Sequence, residues 1–314
     1  MRSVIFAIAL VVGAVGASRA SENRLLAEAV DLPGFVMFHD SGAPGMVLVV
    51  VHDNATLMRF YGQTEKGNNH APDGTSLLRL NSITKVFTAE VVASLASDGK
   101  LSLTDPLQRF AGGEKVPEFG TRPITLLNLA THSAALPREM GDLPQGTNPR
   151  AWPTQQDRWK WLVGYKLPWA PGTVAAYSNV GFDLLADATD GSGGLYSTAN
   201  DMARWLRHNL EDTSGALALS HAIYRPRQTM PAAIGFDEVA PMAGLGLGWV
   251  EVAAQANQPM LLVKSGGGAG FMSYIAFAPS RGVGVFLAVN RVDFPMFLGL
   301  AGAANNLLAS LATR

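Results

Sequence analysis

Asn81-Ser82-Ile83-Thr84-Lys85-Val86-Phe87-Thr88-Ala89 is the stretch that decides how this chain is read. Ser82 heads an apolar run, Ile83 to Leu95, that closes at Asp98-Gly99, and glycine takes the left-handed cap beyond a helix at low cost. The pattern predicts a helix opening at Ser82. Lys85 follows three residues on, so the two side chains share a helix face. A serine hydroxyl is a weak nucleophile until a neighbour takes its proton. Free N–H groups and the positive dipole end at a helix start favour the negative charge that forms during attack on a carbonyl. Ser82 is therefore read as a nucleophile and Lys85 as its base. The pattern by itself is weak. Ser97-Asp98-Gly99-Lys100 repeats it, although there Gly99 breaks the shared face.

The surroundings narrow the chemistry. The chain has 314 residues, 48% hydrophobic and 16% charged, enough to bury a large core in one big domain or two lobes. Its formal net charge is −1 with no basic run, which argues against nucleic acid as a partner. It has no cysteine, which removes disulfides, zinc–thiolate sites and lipidated cysteine. His39, His52, His70, His132, His208 and His221 show no metal-ligand spacing, so neither a metal nor another cofactor is expected. His132 is a catalytic candidate, but no Gly-x-Ser-x-Gly elbow accompanies it, which disfavours a Ser-His-Asp hydrolase.

Residues 1–20 read as a secretory signal peptide. Arg2 supplies the positive start, Val4 to Ala17 the apolar stretch, and Ser18-Arg19-Ala20 the small residues at a cleavage site. An uncleaved N-terminal anchor is the alternative. No other segment reads as long and apolar enough to span a bilayer, so the mature chain is expected to be exported to the periplasm.

Two strands follow, Met46 to His52 and Thr56 to Gly62, joined by Asp53-Asn54-Ala55. A polar loop, 63–75, leads to the Ser82 helix. A short helix is expected from Thr104-Asp105-Pro106 and another over 123–129. Residues 137–153 form a Pro- and Gly-rich loop. Thr154 with Asp157 resembles a capping box for a helix to Tyr165, with Trp159, Leu162 and Val163 on its core face. Helices are expected over 180–188 and, capped by Thr198 with Asp201, over 202–210. Strands are expected at 245–252, 259–264, 271–278 and 283–290, the last two joined by Pro279-Ser280-Arg281-Gly282, ahead of an amphipathic helix, 294–311. Strands at both ends with helices between predict an α/β (α+β) fold: an antiparallel sheet lobe from 21–79 and 240–314, and a helical lobe from 80–239.

Two further short motifs follow Ser82-x-x-Lys85 in order: Tyr177-Ser178-Asn179, then Lys264-Ser265-Gly266-Gly267. With them stand Pro123-Ile124-Thr125-Leu126-Leu127-Asn128-Leu129-Ala130-Thr131-His132, Ala135-Leu136-Pro137-Arg138-Glu139, Gly193-Gly194-Leu195-Tyr196-Ser197-Thr198 and Leu245-Gly246-Leu247-Gly248-Trp249. On these segments the sequence resembles the serine β-lactamase and penicillin-binding-protein superfamily. Within its class C branch it is most similar to the AmpH-type D-alanyl-D-alanine carboxypeptidase/endopeptidases, over nearly the whole mature chain.

That resemblance implies roles. Ser82 would be acylated with Lys85 as base, and Tyr177 would relay protons to the leaving group and help activate water. Asn179 would hydrogen-bond the substrate's amide, and Lys264 would lower the proton affinity of its neighbours by like-charge repulsion. Ser265 would keep the hydroxyl usual at its position. The N–H groups of Ser82 and Gly267 would form an oxyanion hole, and the glycines Gly266 and Gly267 would let the strand approach a carbonyl. The implied partners are peptidoglycan peptides or β-lactams. A class C-like β-lactamase, a carboxylesterase, or a degenerate peptidoglycan-binding protein would use the same residues.

The chain departs from the family in one place. Leu184-Leu185-Ala186-Asp187-Ala188-Thr189-Asp190 runs almost directly into Gly191-Ser192-Gly193, where AmpH-type proteins carry a long segment. The helical lobe is expected to be shortened, leaving Phe182, Leu184 and Leu185 short of cover. A marginally stable protein, with a homodimer covering that patch, is the corresponding expectation.

Overall fold

A computed structural model describes residues 23–141, 153–189, 194–237 and 239–313. The expected signal peptide, the core of the Pro- and Gly-rich loop and the shortened junction at 190–193 lie outside the described residues.

Eight strands make one antiparallel sheet. In chain order they are β1 (Gly45–His52), β2 (Ala55–Gly62), β3 (Arg225–Pro226), β4 (Met242–Leu245), β5 (Val250–Val252), β6 (Leu261–Gly268), β7 (Phe271–Ala278) and β8 (Val283–Val289). Their order across the sheet is β2-β1-β8-β7-β6-β5-β4-β3. The two ends of the chain meet where β1 pairs with β8, Met46 opposite Val289 and His52 opposite Val283. β1 reads as an unbroken apolar run because the sheet is covered on both faces. Met46, Leu48 and Val50 join one core with α1 (residues 23–41) and α8 (Phe294–Ala312). Val47, Val49 and Val51 join another with α6 (Ala199–Glu211) and the residues around Ser82.

The remaining helices are α2 (Thr84–Ser97), α3 (Leu126–Ala130), α4 (Gln155–Gly164), α5 (Asn179–Ala188) and α7 (Gly215–His221). α2 ends as the sequence predicts: past Gly99, the Lys100 N–H donates to the Leu95 carbonyl at 2.9 Å, closing a Schellman-type cap. Thr154 and Asp157 form the expected capping box of α4.

Several expectations change. α1 was not read from the sequence; it buries Leu26, Val30 and Met37 while Leu25, Leu32 and Phe35 stay exposed. The strand expected over 245–252 is two strands, β4 and β5, because Gly248 turns the chain at φ 75° and Gly246 N–H donates to the Trp249 carbonyl. β6 runs four residues beyond Lys264, to Gly268. The short helix expected within 101–110, starting at Thr104-Asp105-Pro106, is a single 3-10 turn, Leu107–Phe110, with Pro106 just before it. Val163 faces solvent rather than the core. The edge strand β3 and helix α6 come from within 80–239 and yet join the sheet. α8 has the length and apolar composition of a membrane span, contrary to the sequence reading, but Phe297, Leu300, Ala304, Leu308 and Leu311 are buried against the sheet.

The largest correction concerns the shortened lobe. Phe182, Leu184 and Leu185 are 4%, 0% and 0% exposed. They share a core with Leu126 and Leu129 of α3, Trp159 and Leu162 of α4, and Leu247 of the turn between β4 and β5. α5 is thus covered by its own neighbours, and among the described residues Phe182, Leu184 and Leu185 form no exposed apolar patch of the kind on which the homodimer expectation rested.

Candidate active site

Ser82 lies in a 3-10 turn, Asn81–Ile83, that leads into α2, rather than in the first turn of the α-helix. Long-range contacts impose this turn. Asn81 takes a left-handed conformation, φ 49°, which asparagine tolerates better than most residues. Its amide donates to the carbonyls of Gly268 and Phe271 at 3.1 and 3.2 Å, tying the turn to the β6–β7 hairpin. The Ser273 hydroxyl of β7 donates to the Leu80 carbonyl at 3.1 Å. From the other side, Leu80 N–H donates to the Leu195 carbonyl at 3.0 Å, and Leu195 N–H donates to Thr84 Oγ1 at 3.1 Å. Leu195 belongs to the segment that follows the shortened junction, so the nucleophile turn still receives that support.

Gly266 is needed where β6 passes this turn. A Cβ there would run into the Leu80 carbonyl oxygen and come within 3.2 Å of the Ser82 nitrogen. Gly267 follows on the exposed side of the strand, with the Phe294 ring 3.7 Å from where its Cβ would stand.

Lys85 Nζ donates to Ser82 Oγ at 3.4 Å. Across from them Tyr177 precedes α5, whose N-cap Ser178 accepts from Gly181 N–H at 2.8 Å. The Tyr177 ring is the hub of the cluster: Lys264 Nζ lies 4.7 Å from its centroid, the Arg138 guanidinium 4.8 Å and Lys85 Nζ 5.4 Å. Burial in this crowd pushes the Lys85 ammonium below its usual pKa; Lys264 adds to the fall, while Tyr177 and Asp183 oppose it. Lys264, 3% exposed, is brought down to about 8, first by burial and then by Arg138, against the pull of Asp237. Both lysines can thus accept a proton nearer neutrality than a solvated lysine does.

His132 is placed as backing for the Tyr177 ring. It is buried and stacks behind Tyr177 at 4.3 Å between ring centroids, tilted by 24°. Its Nδ1 accepts from Ser178 N–H at 3.0 Å, which puts the ring proton on Nε2, an atom without a hydrogen-bond partner. Burial, with Lys264 and Lys85 nearby, holds it well below the usual histidine pKa, so the ring is neutral.

The two side chains expected to meet substrate sit at the rim. Asn179, the first residue of α5, donates its amide to the Glu139 carboxylate. Ser265 donates its hydroxyl to the Asp237 carboxylate. The structure thus gathers Ser82, Lys85, Tyr177, Lys264 and Gly266 in one cluster, and holds Asn179 and Ser265 at its edge against acids of the protein. Asn81, Ser273, Arg138, Glu139 and Asp237 were not read as site residues. Arg138 and Glu139 stood inside a recognised segment; Asp237 belongs to no motif. Among the described residues no group of three His, Asp or Glu is placed to hold a metal ion.

Comparison with known proteins gives this geometry a context. The chain is 34% identical to the D-alanyl-D-alanine-carboxypeptidase/endopeptidase AmpH of Escherichia coli K12, with 99% of this chain and 97% of that protein aligned. The alignment runs over 377 positions against the 314 residues of the chain, so the relative carries residues that this one lacks. A beta-lactamase of Pseudomonas fluorescens is 21% identical over 79% of this chain and 88% of its own length. The crystal structure of a beta-lactamase/D-alanine carboxypeptidase from Yersinia pestis, complexed with citrate, superposes with a TM-score of 0.86 at 35% identity. It covers 91% of this chain and 98% of that one. A class C beta-lactamase shares the fold, with a TM-score of 0.72 at 16% identity over 90% and 96% of the two chains. The beta-lactamase family model matches residues 23–191 and 186–309, two pieces that meet where the helical lobe is short. Sequence and fold agree along nearly the whole described length, and the chain belongs to the beta-lactamase family of serine hydrolases.

Proposed function

We propose that this chain is an exported D-alanyl-D-alanine carboxypeptidase/endopeptidase that cleaves peptidoglycan peptides through an acyl-enzyme on Ser82 and is acylated by β-lactams. The observation that carries the reading is the 3.4 Å contact between Lys85 Nζ and Ser82 Oγ, in a cluster where burial and Lys264 reduce the basicity of Lys85. In its neutral form Lys85 takes the Ser82 proton as Oγ bonds to the substrate carbonyl carbon. The N–H groups of Ser82 and Gly267 receive the oxyanion, and one such donor is worth about 3–4 kcal/mol of transition-state stabilisation. The carbonyl–nitrogen bond then breaks, and the leaving amine takes a proton through Tyr177. Water then attacks the ester carbon, its proton passing through Tyr177 to neutral Lys85. Lys85 returns that proton to Ser82 Oγ as the ester carbon–oxygen bond breaks, releasing the carboxylic acid product and free Ser82. The pattern of residues 1–20 supports a periplasmic location.

The test is intact-protein mass spectrometry after incubation with a penicillin, followed by peptide mapping. The expected result is one adduct on Ser82, lost in Ser82→Ala. A folded protein with no adduct, or an adduct on Ser97, overturns the reading. Determining the N-terminus of protein recovered from the periplasm tests export, with cleavage after Ala20 expected.

A further inference from the structure

We propose that Arg138 is a specificity-determining residue that binds a carboxylate on the acyl side of the substrate, so that the site favours acyl donors carrying a negatively charged side group. The inference rests on the serine-hydrolase reading above and deepens it by naming the substrate class.

An exposed arginine ordinarily samples many rotamers, and a charge it meets in water then adds little affinity. Arg138 is exposed and yet held at three points. Its backbone carbonyl accepts from Asn179 N–H at 2.8 Å. Its Nη1 donates to the Gly235 carbonyl at 3.1 Å. Its guanidinium stands 4.8 Å from the centroid of the Tyr177 ring. Fixing the planar fork in advance removes ordering entropy that binding would otherwise cost.

The loop that carries Arg138 is stitched to the segment that carries Tyr177 and Asn179. Gly172 N–H donates to the Ser133 carbonyl at 2.7 Å, and Ala176 N–H to the His132 carbonyl at 2.8 Å. The Ser178 hydroxyl donates to the Pro137 carbonyl at 2.6 Å. His132 and Ala135 hold left-handed backbone, φ 54° and 59°, which residues other than glycine seldom adopt. The place of the guanidinium is therefore set relative to the reacting groups.

The fork is also unspent. A guanidinium has five N–H donors, and among the described residues the Gly235 carbonyl is the one hydrogen-bond partner of Arg138. No described carboxylate lies within salt-bridge reach of it. The acids at the rim are already engaged by neutral donors: Glu139 accepts from the Asn179 amide and Asp237 from the Ser265 hydroxyl. The remaining N–H groups match a planar, acceptor-only group, which arginine takes with two parallel bonds. The backbone bond to Asn179, the residue expected to meet the amide of the substrate's side chain, places this fork on the acyl side.

Benzylpenicillin and carbenicillin differ by one carboxylate on the acyl side chain and serve as matched probes. Their equilibrium binding is followed by NMR titration in the Ser82→Ala background, where neither can acylate the protein, with Arg138 intact, with Arg138→Gln and with Arg138→Lys. Thermal melts check that each protein is folded. Arg138→Gln should weaken carbenicillin relative to benzylpenicillin by about tenfold, the order expected for a hydrogen-bonded charge pair. Arg138→Lys, which keeps the charge and loses the fork, should weaken it by about threefold. An unchanged ratio, an equal loss of both probes, or no saturable binding of carbenicillin overturns the proposal. Neither probe has to react, so failure of a penicillin to acylate Ser82 in the wild type counts against the proposed function, while the ratio of affinities decides this inference by itself.

Discussion

The inner groups of the cleft and its rim are held in opposite ways. Among the described residues, neither Lys85 nor Lys264 has an acid in salt-bridge contact, and the two stand with Arg138 around one tyrosine ring at 4.7 to 5.4 Å. At the rim, Asn179 and Ser265 are each already bonded to an exposed carboxylate, Glu139 and Asp237. The inner arrangement keeps charges desolvated and unpaired, which lowers lysine basicity and readies both groups to accept protons. The rim bonds lie in water, where charged contacts are worth little and are exchanged cheaply. The basicity of the lysines is therefore set in the core, while Asn179 and Ser265 are held by surface acids that a single substitution can remove.

The comparison breaks most completely at Ser82. Ser82→Ala should abolish covalent labelling by a penicillin while leaving the melting temperature close to that of the wild type, since Ser82 is half-buried and, among the described residues, its hydroxyl hydrogen-bonds to Lys85 alone. Residual labelling would place the nucleophile elsewhere. Next in size is Asp187→Ala. The Arg158–Asp187 pair joins α4 to α5 with the two side chains 13% and 8% exposed. Removing one partner leaves a buried charge and costs about 3–5 kcal/mol. α5 begins at the Tyr177-Ser178-Asn179 segment, so a lower melting temperature and slower acylation should appear together. Loss of acylation with an unchanged melt would mean that this end of α5 acts on the chemistry directly.

Lys264→Met sharpens the inner half of the comparison. Lys264 helps to lower the Lys85 pKa, so removing its charge lets Lys85 hold its proton to higher pH. The rising limb of the acylation profile should move to higher pH, and the rate at neutral pH should fall about tenfold, less than the roughly 10²–10⁴-fold that a general base contributes, because Lys85 itself is retained. A rate that falls equally at every pH would assign Lys264 to substrate binding alone.

Legibility in the sequence follows the same division between local and long-range causes. The β1–β2 and β7–β8 hairpins and the Gly99 cap are local, and each stands where the residues put it. α1 escaped because exposed Leu25, Leu32 and Phe35 blur its apolar stripe. The 3-10 turn at Ser82 is set by Asn81 contacts 187 and 190 residues away, which no local pattern encodes. The three short motifs revealed the inner groups, since their spacing and order carry the chemistry. Glu139 and Asp237 remained hidden because an exposed acid becomes part of a site only when a distant strand brings a donor to it. The shortening of the helical lobe was visible as a gap, but its consequence was not: whether α5 is bare depends on how α3 and α4 close over it.

Glu139→Gln should give the smallest effect, and it bears on the rim alone. Glu139 is exposed and accepts from the Asn179 amide, the donor proposed to meet a substrate carbonyl. A hydrogen bond to a charged acceptor is roughly twice as strong as one between neutral groups. Glutamine keeps the shape and an acceptor oxygen but removes the charge, so Asn179 should be released more readily to substrate. KM for a peptide bearing a side-chain amide should then fall about threefold, with a smaller change in kcat, because the bond concerned is to substrate rather than to the reacting atoms. Raising the salt should bring the wild type towards the variant, since the Glu139 charge lies in water and is screened. A rise in KM would show the reverse: that Glu139 orients Asn179 for substrate, and that the rim, like the inner cluster, is preset.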